Sequence, residues 1–269
     1  MRHRPSTSAI RHSGRQLRRP SPDIAISLAP RFPLWVAVTL ALAAGTASAD
    51  PSDGKGTVSG TVSLTNDYVA RGQSQTGGSP ALQGSLGWSG QVSAGQLSAH
   101  PYASIWASNI DFDDGSDATV EVDYQLGLKV THGKTTMDVY AIYYAYPGAK
   151  EQFDLGYMEA GFGLELDLEK FTLSGSFYWS PDYSGANGDS QYYALDLSTP
   201  LSKAVTLDAH AGYNAFSSSQ LDAYTDWSVA LTRSFTRPAI GVSISYVDSD
   251  LACGSDCGSR ALIAVSASF

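Results

Sequence analysis

The sequence predicts an all-β protein, a transmembrane antiparallel up-and-down β-barrel of about 12 strands in the outer membrane of a Gram-negative cell. Three observations lead to this prediction. The final segment, residues 260–269, alternates strictly and ends on the aromatic residue Phe269. The same period of two recurs along most of the chain, and an export signal precedes it. Such alternation places lipid-facing and interior side chains on opposite faces of each strand.

The export signal lies in the first 49 residues. Residues 34–44 form an apolar run of 11, preceded by Arg31 and followed by a small-residue cleavage site that ends at Ala49. The run is too short for a transmembrane helix, which needs about 20 apolar residues. We therefore expect residues 1–49 to be a signal peptide with an over-extended N-terminus, cut after Ala49. Residues 50–269 are expected to form a single outer-membrane β-barrel domain.

The mature chain is strongly acidic. Seven of the 17 basic residues and one of the 26 acidic residues lie in the first 49, which leaves ten basic and 25 acidic residues and a net charge of −15. This charge argues against nucleic acid as a partner and favours cations. We expect the partners to be outer-membrane lipid, the barrel-assembly machinery, and small solutes or cations. The sequence leaves the oligomeric state open.

Residues 120–130 show the strand pattern most clearly. The even-numbered positions are apolar or aromatic, whereas Glu121, Asp123 and Lys129 lie on the other face. A helix would put the acids on both sides, so the period of two indicates a strand. Twelve such segments are predicted, at residues 57–69, 81–89, 97–110, 120–130, 135–146, 153–166, 171–180, 191–198, 205–213, 224–233, 239–247 and 260–269.

The connections alternate in character, which indicates the direction of each strand. Short turns are predicted at residues 90–96, 131–134, 167–170, 199–203 and 234–238. Longer loops are predicted at residues 72–80, 111–118, 147–152, 181–190, 214–223 and 248–259. Short periplasmic turns and longer outer loops are typical of transmembrane barrels, and an even number of strands returns both termini to the periplasm. A change of phase near Tyr157 and Met158 predicts a β-bulge.

A soluble sandwich or barrel would show the same alternation, with its apolar faces packed inward. The export signal, Phe269 and the Tyr and Trp residues near strand ends favour the membrane, because aromatic girdles lie at both interfaces of a transmembrane barrel. The predicted girdle residues are Tyr68, Trp88, Trp106, Tyr146, Trp179, Tyr213 and Tyr246.

If the apolar faces contact lipid, the opposite faces line the interior. The pore-lining candidates are Asp67, Arg71, Glu121, Asp123, Lys129, Asp138, Tyr140, Asp196, Asp208, His210, Asp226 and Arg233. Carboxylates outnumber bases on these faces, and a ring of carboxylates favours cations over anions. We therefore predict a narrow outer-membrane channel that prefers cations or small polar solutes. The alternative is a closed structural or adhesive barrel whose interior groups pair with one another.

Asp67 and Arg71 lie four residues apart at the outer end of the first segment, and Arg71 is one of only ten basic residues in the mature chain. The Arg71 guanidinium could select an anionic group of a solute through bidentate hydrogen bonds. The alternative is a structural ion pair with a nearby acid such as Asp67 or Asp111.

Cys253 and Cys257 are the two cysteines of the chain. Because an exported chain meets oxidising conditions, we expect them to form a local disulfide. No metal site and no cofactor are predicted. The acidic residues 111–117 depart from the spacing of an EF-hand, so a solvated loop is favoured over loose binding of divalent cations.

No catalytic residues are predicted, and we expect the protein not to be an enzyme. An outer-membrane hydrolase is the weakest alternative. Only His210 lies on a polar strand face, with Asp208 on the same face, and Ser174 or Ser228 would have to act as the nucleophile.

Three stretches of the mature chain resemble one proteobacterial family. They are residues 63–76 (SLTNDYVARGQSQT) continuing to 80–84, residues 105–112 (IWASNIDF) followed by 121–123, and residues 143–148 (YYAYPG) with 180–183 further on. Together they resemble the conserved hypothetical family Gcw_chp, whose members are also described as TorF-family porins. The resemblance implies an outer-membrane location and a porin role, without a substrate or catalytic residues. One departure is Ala267, where many outer-membrane strands have an aromatic residue two positions before the final Phe.

Overall fold

The computed structural model describes residues 56–269, and the predicted signal peptide lies outside these residues. Twelve antiparallel strands close into a barrel, which confirms the predicted fold class. The strands are β1 (Thr57–Thr65), β2 (Ala81–Ser89), β3 (Leu97–Asn109), β4 (Val120–His132), β5 (Thr135–Ala145), β6 (Tyr157–Asp167), β7 (Thr172–Ser180), β8 (Ser190–Ser202), β9 (Val205–Phe216), β10 (Tyr224–Thr236), β11 (Ala239–Ser249) and β12 (Arg260–Ser268). A short additional strand, Val92–Ala94, pairs with the start of β3.

The first and last strands close the barrel. β1 pairs with β12 from Thr61 opposite Ser268 to Thr65 opposite Ala264. The last residue extends this pairing, since the N–H of Phe269 donates to the carbonyl of Gly60 at 3.0 Å and the N–H of Gly60 donates back at 2.9 Å. A Cβ atom at Gly60 would lie 2.5 Å from the Phe269 ring. Gly60 therefore leaves the space that the terminal ring occupies.

The barrel is apolar outside and polar inside. On β4, Tyr124 and Leu126 point outward and are 51% and 66% exposed, whereas Glu121 and Asp123 point inward and are 0% and 5% exposed. The other strands repeat this alternation, with large exposed apolar side chains on their outward faces. A water-soluble barrel would bury those side chains, so the outer surface is suited to contact hydrocarbon.

Part of the predicted aromatic girdle is wrong. Tyr68 and Tyr146 are buried inside the barrel, and Trp106 packs against the same interior cluster. The remaining predicted girdle residues are exposed on the outward face: Trp88, Trp179, Tyr213 and Tyr246. Tyr68 and Tyr146 differ because they lie in connections beyond the ends of their strands, where alternation no longer sets the direction of a side chain. Trp106 differs because it lies within β3 on the inward face, two repeats of the alternation from Tyr102.

Short and long connections lie at opposite ends of the barrel, as the alternation predicted. The short turns are residues 90–96, 133–134, 168–171, 203–204 and 237–238. The longer connections are residues 66–80, 110–119, 146–156, 181–189, 217–223 and 250–259, and we call their end of the barrel the loop end. No helix in the described part of the chain is long and apolar enough to cross a membrane.

Two predicted segments differ in the structure. β1 ends at Thr65 rather than Val69, because the chain turns inward and Val69–Ala70 pairs with Gln73–Ser74 in a small hairpin. The predicted bulge is wrong as well. The phase changes there because a 3-10 turn, Glu151–Phe153, precedes the strand, and β6 is regular from its first residue.

Candidate functional site

The connection between β1 and β2 folds into the barrel and fills its loop end. We call residues 66–80 the plug segment. Its chain reverses at Arg71 and Gly72, whose φ angles are 42° and 77°. Residues 67–76 are all buried, and Gln75 within this run is 0% exposed. The interior is therefore occupied at the loop end of the barrel.

Arg71 lies between one carboxylate and several tyrosine rings. Its Nη2 atom donates to both carboxylate oxygens of Glu159 on β6, at 3.0 Å each. The guanidinium carbon lies 3.9 Å from the ring centre of Tyr192 and 5.2 Å from that of Tyr178. Tyr144 donates a 2.6 Å hydrogen bond to the same carboxylate of Glu159. We call Glu159, Tyr144, Tyr178 and Tyr192 the Arg71 cage.

Burial and charge act in opposite directions on Arg71. Burial by itself lowers the pKa of the guanidinium, but the Glu159 carboxylate raises the pKa above its usual value. Arg71 is therefore charged, with Glu159 as its counter-ion. Its Nε and Nη1 atoms are buried without a hydrogen-bond partner, and each such donor costs roughly 1–3 kcal/mol. The cage thus binds the cation through one nitrogen and through ring faces.

A second ion pair fixes the start of the plug segment. The carboxylate of Asp67 contacts Arg260 on β12 at 2.5 Å. The same carboxylate accepts hydrogen bonds from the hydroxyl groups of Ser74 and Thr76 at 2.6 Å and 2.8 Å. Asp67 therefore joins both arms of the plug segment to the wall of the barrel.

The tip of the plug segment packs against β10 and β11. A Cβ atom at Gly72 would lie 2.6 Å from Ser249 and 2.9 Å from Asp226, so only glycine fits at this position. The side-chain amide of Gln73 donates to the hydroxyl of Tyr224 at 2.8 Å. Because Arg71 reaches β6 at the same time, the plug segment spans the interior from wall to wall.

Glu121 and Asp123 both point into the interior from β4. Glu121 accepts hydrogen bonds from the hydroxyl groups of Tyr68 at 3.1 Å and Tyr146 at 2.7 Å. Tyr68 belongs to the plug segment, so Glu121 also helps to hold that segment in place. Asp123 is 5% exposed on the same face.

Lys129, Asp138 and Tyr140 were also predicted to face inward. Asp138 is buried and accepts hydrogen bonds from Tyr102 at 3.2 Å and 3.0 Å, and the Nζ atom of Lys129 lies 5.5 Å from the centre of the Tyr102 ring. Tyr140 is buried, with its ring 5.5 Å from that of Tyr178 in the interior tyrosine cluster. The structure therefore brings all three inside the barrel.

His210 on β9 lies between two carboxylates. Its Nδ1 atom is 2.6 Å from Asp196 and its Nε2 atom is 3.1 Å from Asp226. The hydroxyl of Tyr192 is 2.9 Å from the same Nε2 atom. Because both carboxylates accept hydrogen bonds, this arrangement favours the doubly protonated ring. Asp208, half-buried on the same strand, accepts a 2.6 Å hydrogen bond from Ser198.

One predicted pore-lining residue is wrong. Arg233 is exposed and lies on the outward face of β10 with Trp227 and Val229. Its guanidinium carbon lies 5.1 Å from the ring centre of Phe235. Asp226 and Arg233 have opposite parity, and residues of opposite parity cannot share a face of a regular strand. A long arginine side chain near a strand end can still reach a polar interface with its head group.

The acids predicted to pair with Arg71 are also wrong. Asp67 pairs with Arg260, and Arg71 pairs with Glu159, which is 88 residues away in the sequence. No local pattern indicates a contact of that range. Arg260 was not among the predicted site residues, although the alternation of β12 places it on the face opposite Ala261 and hence inside the barrel.

Two predictions concern the loop end outside the barrel. Cys253 and Cys257 are joined by a disulfide, as predicted. Within the acidic residues 111–117, Asp117 pairs with Lys150 at 3.2 Å, and other acids of the loop accept backbone N–H groups. Among the described residues, no cluster of His, Cys, Asp and Glu has the geometry to hold a metal ion.

The closed strand pairing, the apolar exterior and the polar interior define the class of this protein as a transmembrane β-barrel, because a closed barrel leaves no strand edge unpaired in hydrocarbon. The chain belongs to the Gcw_chp family, described as a bacterial protein of unknown function, whose sequence model matches residues 48–265. The predicted family is therefore confirmed. No curated protein matches the chain significantly.

Several solved structures resemble the chain at low sequence identity. The KdgM porin is 6% identical with a TM-score of 0.49, over 79% of this chain and 98% of that one. The COG4313 outer membrane channel from Pseudomonas putida F1 is 14% identical with a TM-score of 0.49, over 82% of this chain and 100% of that one. A Pseudomonas aeruginosa FadL homologue is 11% identical with a TM-score of 0.45, over 90% and 95%. Similarity at this level transfers neither substrate nor mechanism.

Proposed function

We propose that this protein is a channel of the bacterial outer membrane for small polar solutes, with a preference for cations. The observation that carries the proposal is the excess of carboxylates inside a barrel with an apolar exterior. The inward-facing acids are Asp67, Glu121, Asp123, Asp138, Glu159, Glu165, Asp196, Asp208 and Asp226, and the inward-facing bases are Arg71, His100, Lys129, His210 and Arg260. Acidic walls raise the local concentration of cations, and a narrow passage with low-dielectric walls strengthens this effect.

The plug segment supports a closed resting state of the channel. It is buried, it crosses the interior, and two ion pairs hold it. Solutes would pass when the plug segment leaves the loop end. Substitution of Arg71 removes one of the two ion pairs, so it should increase the open fraction.

Conductance in a planar bilayer under a salt gradient tests this function. We expect cation-selective reversal potentials, with larger conductance for Arg71→Ala than for the wild-type protein. The double variant Asp208→Asn/Glu165→Gln should reduce cation selectivity, because both acids lie on inward faces. The matched control is Glu169→Gln, whose side chain is 78% exposed at a turn. Anion-selective reversal potentials would contradict the charge argument.

The buried plug segment also favours a second candidate function, a closed structural barrel. This candidate gains support if the wild-type protein, Arg71→Ala and Arg71→Gln all fold but none conducts. A hydrolase is less well supported, because both ring nitrogens of His210 face carboxylates, as in a charge network. Hydrolysis of added lipid that depends on His210 would reverse this order.

A further inference from the structure

We propose that the Arg71 cage is a binding site for small organic cations that carry a guanidinium or primary ammonium group, and that Arg71 occupies the site in place of such a solute. The proposal makes the channel function more specific. It rests on that function, because the solute reaches the cage through the channel. The cage thereby defines a substrate class within the broader preference for cations.

The groups of the cage match the chemistry of an organic cation. Glu159 supplies a full negative charge, and Tyr144 orients that carboxylate through a 2.6 Å hydrogen bond. Tyr192 presents its ring face 3.9 Å from the guanidinium carbon, and Tyr178 lies at 5.2 Å. Ring faces attract cations through their quadrupole, and a planar guanidinium can stack on a ring while it donates to a carboxylate.

The fit of Arg71 itself is incomplete, which makes it exchangeable. Its Nε and Nη1 atoms are buried without a hydrogen-bond partner. Its backbone has a φ of 42°, in the left-handed region that residues other than glycine rarely adopt. A free solute needs no left-handed backbone, and a primary ammonium group has no second nitrogen to leave unpaired. The backbone cost is relieved when either kind of solute replaces the side chain and the plug segment moves, and the cost of the unpaired nitrogens is relieved when the solute is a primary ammonium.

Replacement of Arg71 would release the plug segment without detaching it. The ion pair between Asp67 and Arg260 holds the base of the segment independently of the cage. A tethered group competes at an effective concentration on the order of millimolar. The wild-type cage should therefore respond only to millimolar solute, whereas a vacant cage should bind the solute more tightly.

Titration calorimetry of the purified full-length mature protein in detergent tests the cage directly, with methylguanidinium chloride as the probe. We expect Arg71→Ala to bind methylguanidinium at least about tenfold more tightly than the wild-type protein does, because an intramolecular competitor is removed. Methylammonium should compete with it. The double variant Arg71→Ala/Glu159→Gln should lose the binding, and sodium chloride at equal ionic strength should give none.

The matched control is Arg233→Ala, which removes an exposed arginine on the outward face and should bind like the wild-type protein. If Arg71→Ala does not fold, Arg71→Gln replaces it. The proposal is overturned if the folded Arg71 variant binds methylguanidinium no better than the wild-type protein does. It is also overturned if the double variant with Glu159→Gln still binds methylguanidinium. Calorimetry measures binding without conduction, so it tests the cage separately from the channel function. A sealed barrel that binds the probe would contradict only the channel function, and a conducting barrel that does not bind it would contradict only the cage.

A second measurement keeps Arg71 in place. Gln73 lies at the tip of the plug segment, beyond the part that Asp67 anchors, and is 4% exposed. In the single variant Gln73→Cys, millimolar methylguanidinium should accelerate maleimide labelling of the introduced thiol, whereas sodium chloride should not. Labelling that is slow and equal in both salts would count against displacement of the plug segment.

Discussion

Glu159 determines whether a guanidinium can remain inside this barrel. Arg71 has a side-chain exposure of 1%, so water cannot stabilise its charge, and Glu159 with the same exposure provides the neutralising carboxylate. Removing one partner of a buried ion pair leaves the other charge uncompensated, which is strongly destabilising. At the scale of single residues, the closed interior therefore depends on this pair more than on the exposed ion pairs of the turns, such as Lys134 with Glu169.

We predict that Glu159→Gln lowers the free energy of unfolding by about 3–5 kcal/mol, because glutamine keeps the size of the side chain and removes its charge. Denaturant unfolding of the protein in detergent measures this value. The control Arg233→Gln alters an exposed arginine and should change the free energy of unfolding by no more than about 0.5 kcal/mol. Equal stability of Glu159→Gln and the wild-type protein would show that Glu159 is not the required counter-ion.

At the scale of elements, β12 completes the barrel and also ends the chain. Its outward face is apolar, and its inward face contributes Arg260 to the anchor of the plug segment. The terminal Phe269 adds a pair of backbone hydrogen bonds to β1, and its ring covers Gly60. The backbone and the ring thus make separate contributions to closure.

Deletion of Phe269 should lower the amount of protein in the outer membrane, since both the last pair of hydrogen bonds and the aromatic ring are lost. Phe269→Ala keeps the hydrogen bonds and removes only the ring, so it separates the two contributions. Immunoblots of outer-membrane fractions after equal expression provide the measurement. Unchanged levels in the deletion would show that the terminal residue is dispensable for assembly.

At the scale of the whole molecule, the distribution of polarity is the reverse of that in a soluble barrel. Exposed Leu, Val and aromatic side chains surround an interior of carboxylates, tyrosines and a few bases. Such a chain needs hydrocarbon outside, and the tyrosines inside satisfy both packing and hydrogen bonding. The Tyr hydroxyl groups that bind Glu121, Asp138 and Glu159 show how these carboxylates remain inside the barrel.

We predict that the protein is exported, cut after Ala49 and recovered only with detergent, because its outer surface cannot be hydrated. Membrane fractionation and intact-mass analysis of the purified protein test this expectation. A mature N-terminus at Asp50 would agree with the prediction. Recovery of the mature chain as a soluble monomer without detergent would contradict it.

The sequence alone determined the features that depend on neighbours along the chain. Alternation is a local property of a strand, so it located twelve strands and the apolar face of β12. The disulfide between Cys253 and Cys257 is local in the same sense. The sequence also shows that Asp226 is even-numbered and Arg233 is odd-numbered in β10, so the two residues lie on opposite faces. This contradicts the interior position predicted for Arg233.

Only the tertiary structure decided what fills the interior. Residues 66–69 continue an apparent strand in the sequence, yet the chain turns inward after Thr65. Arg71 meets Glu159 across 88 residues, and Asp67 meets Arg260 across 193. These contacts exist because closure of the barrel brings β1, β6 and β12 around one interior. The register between strands then sets the position of each side chain along the barrel axis. A period of two specifies the face of a residue but not its neighbour across the barrel.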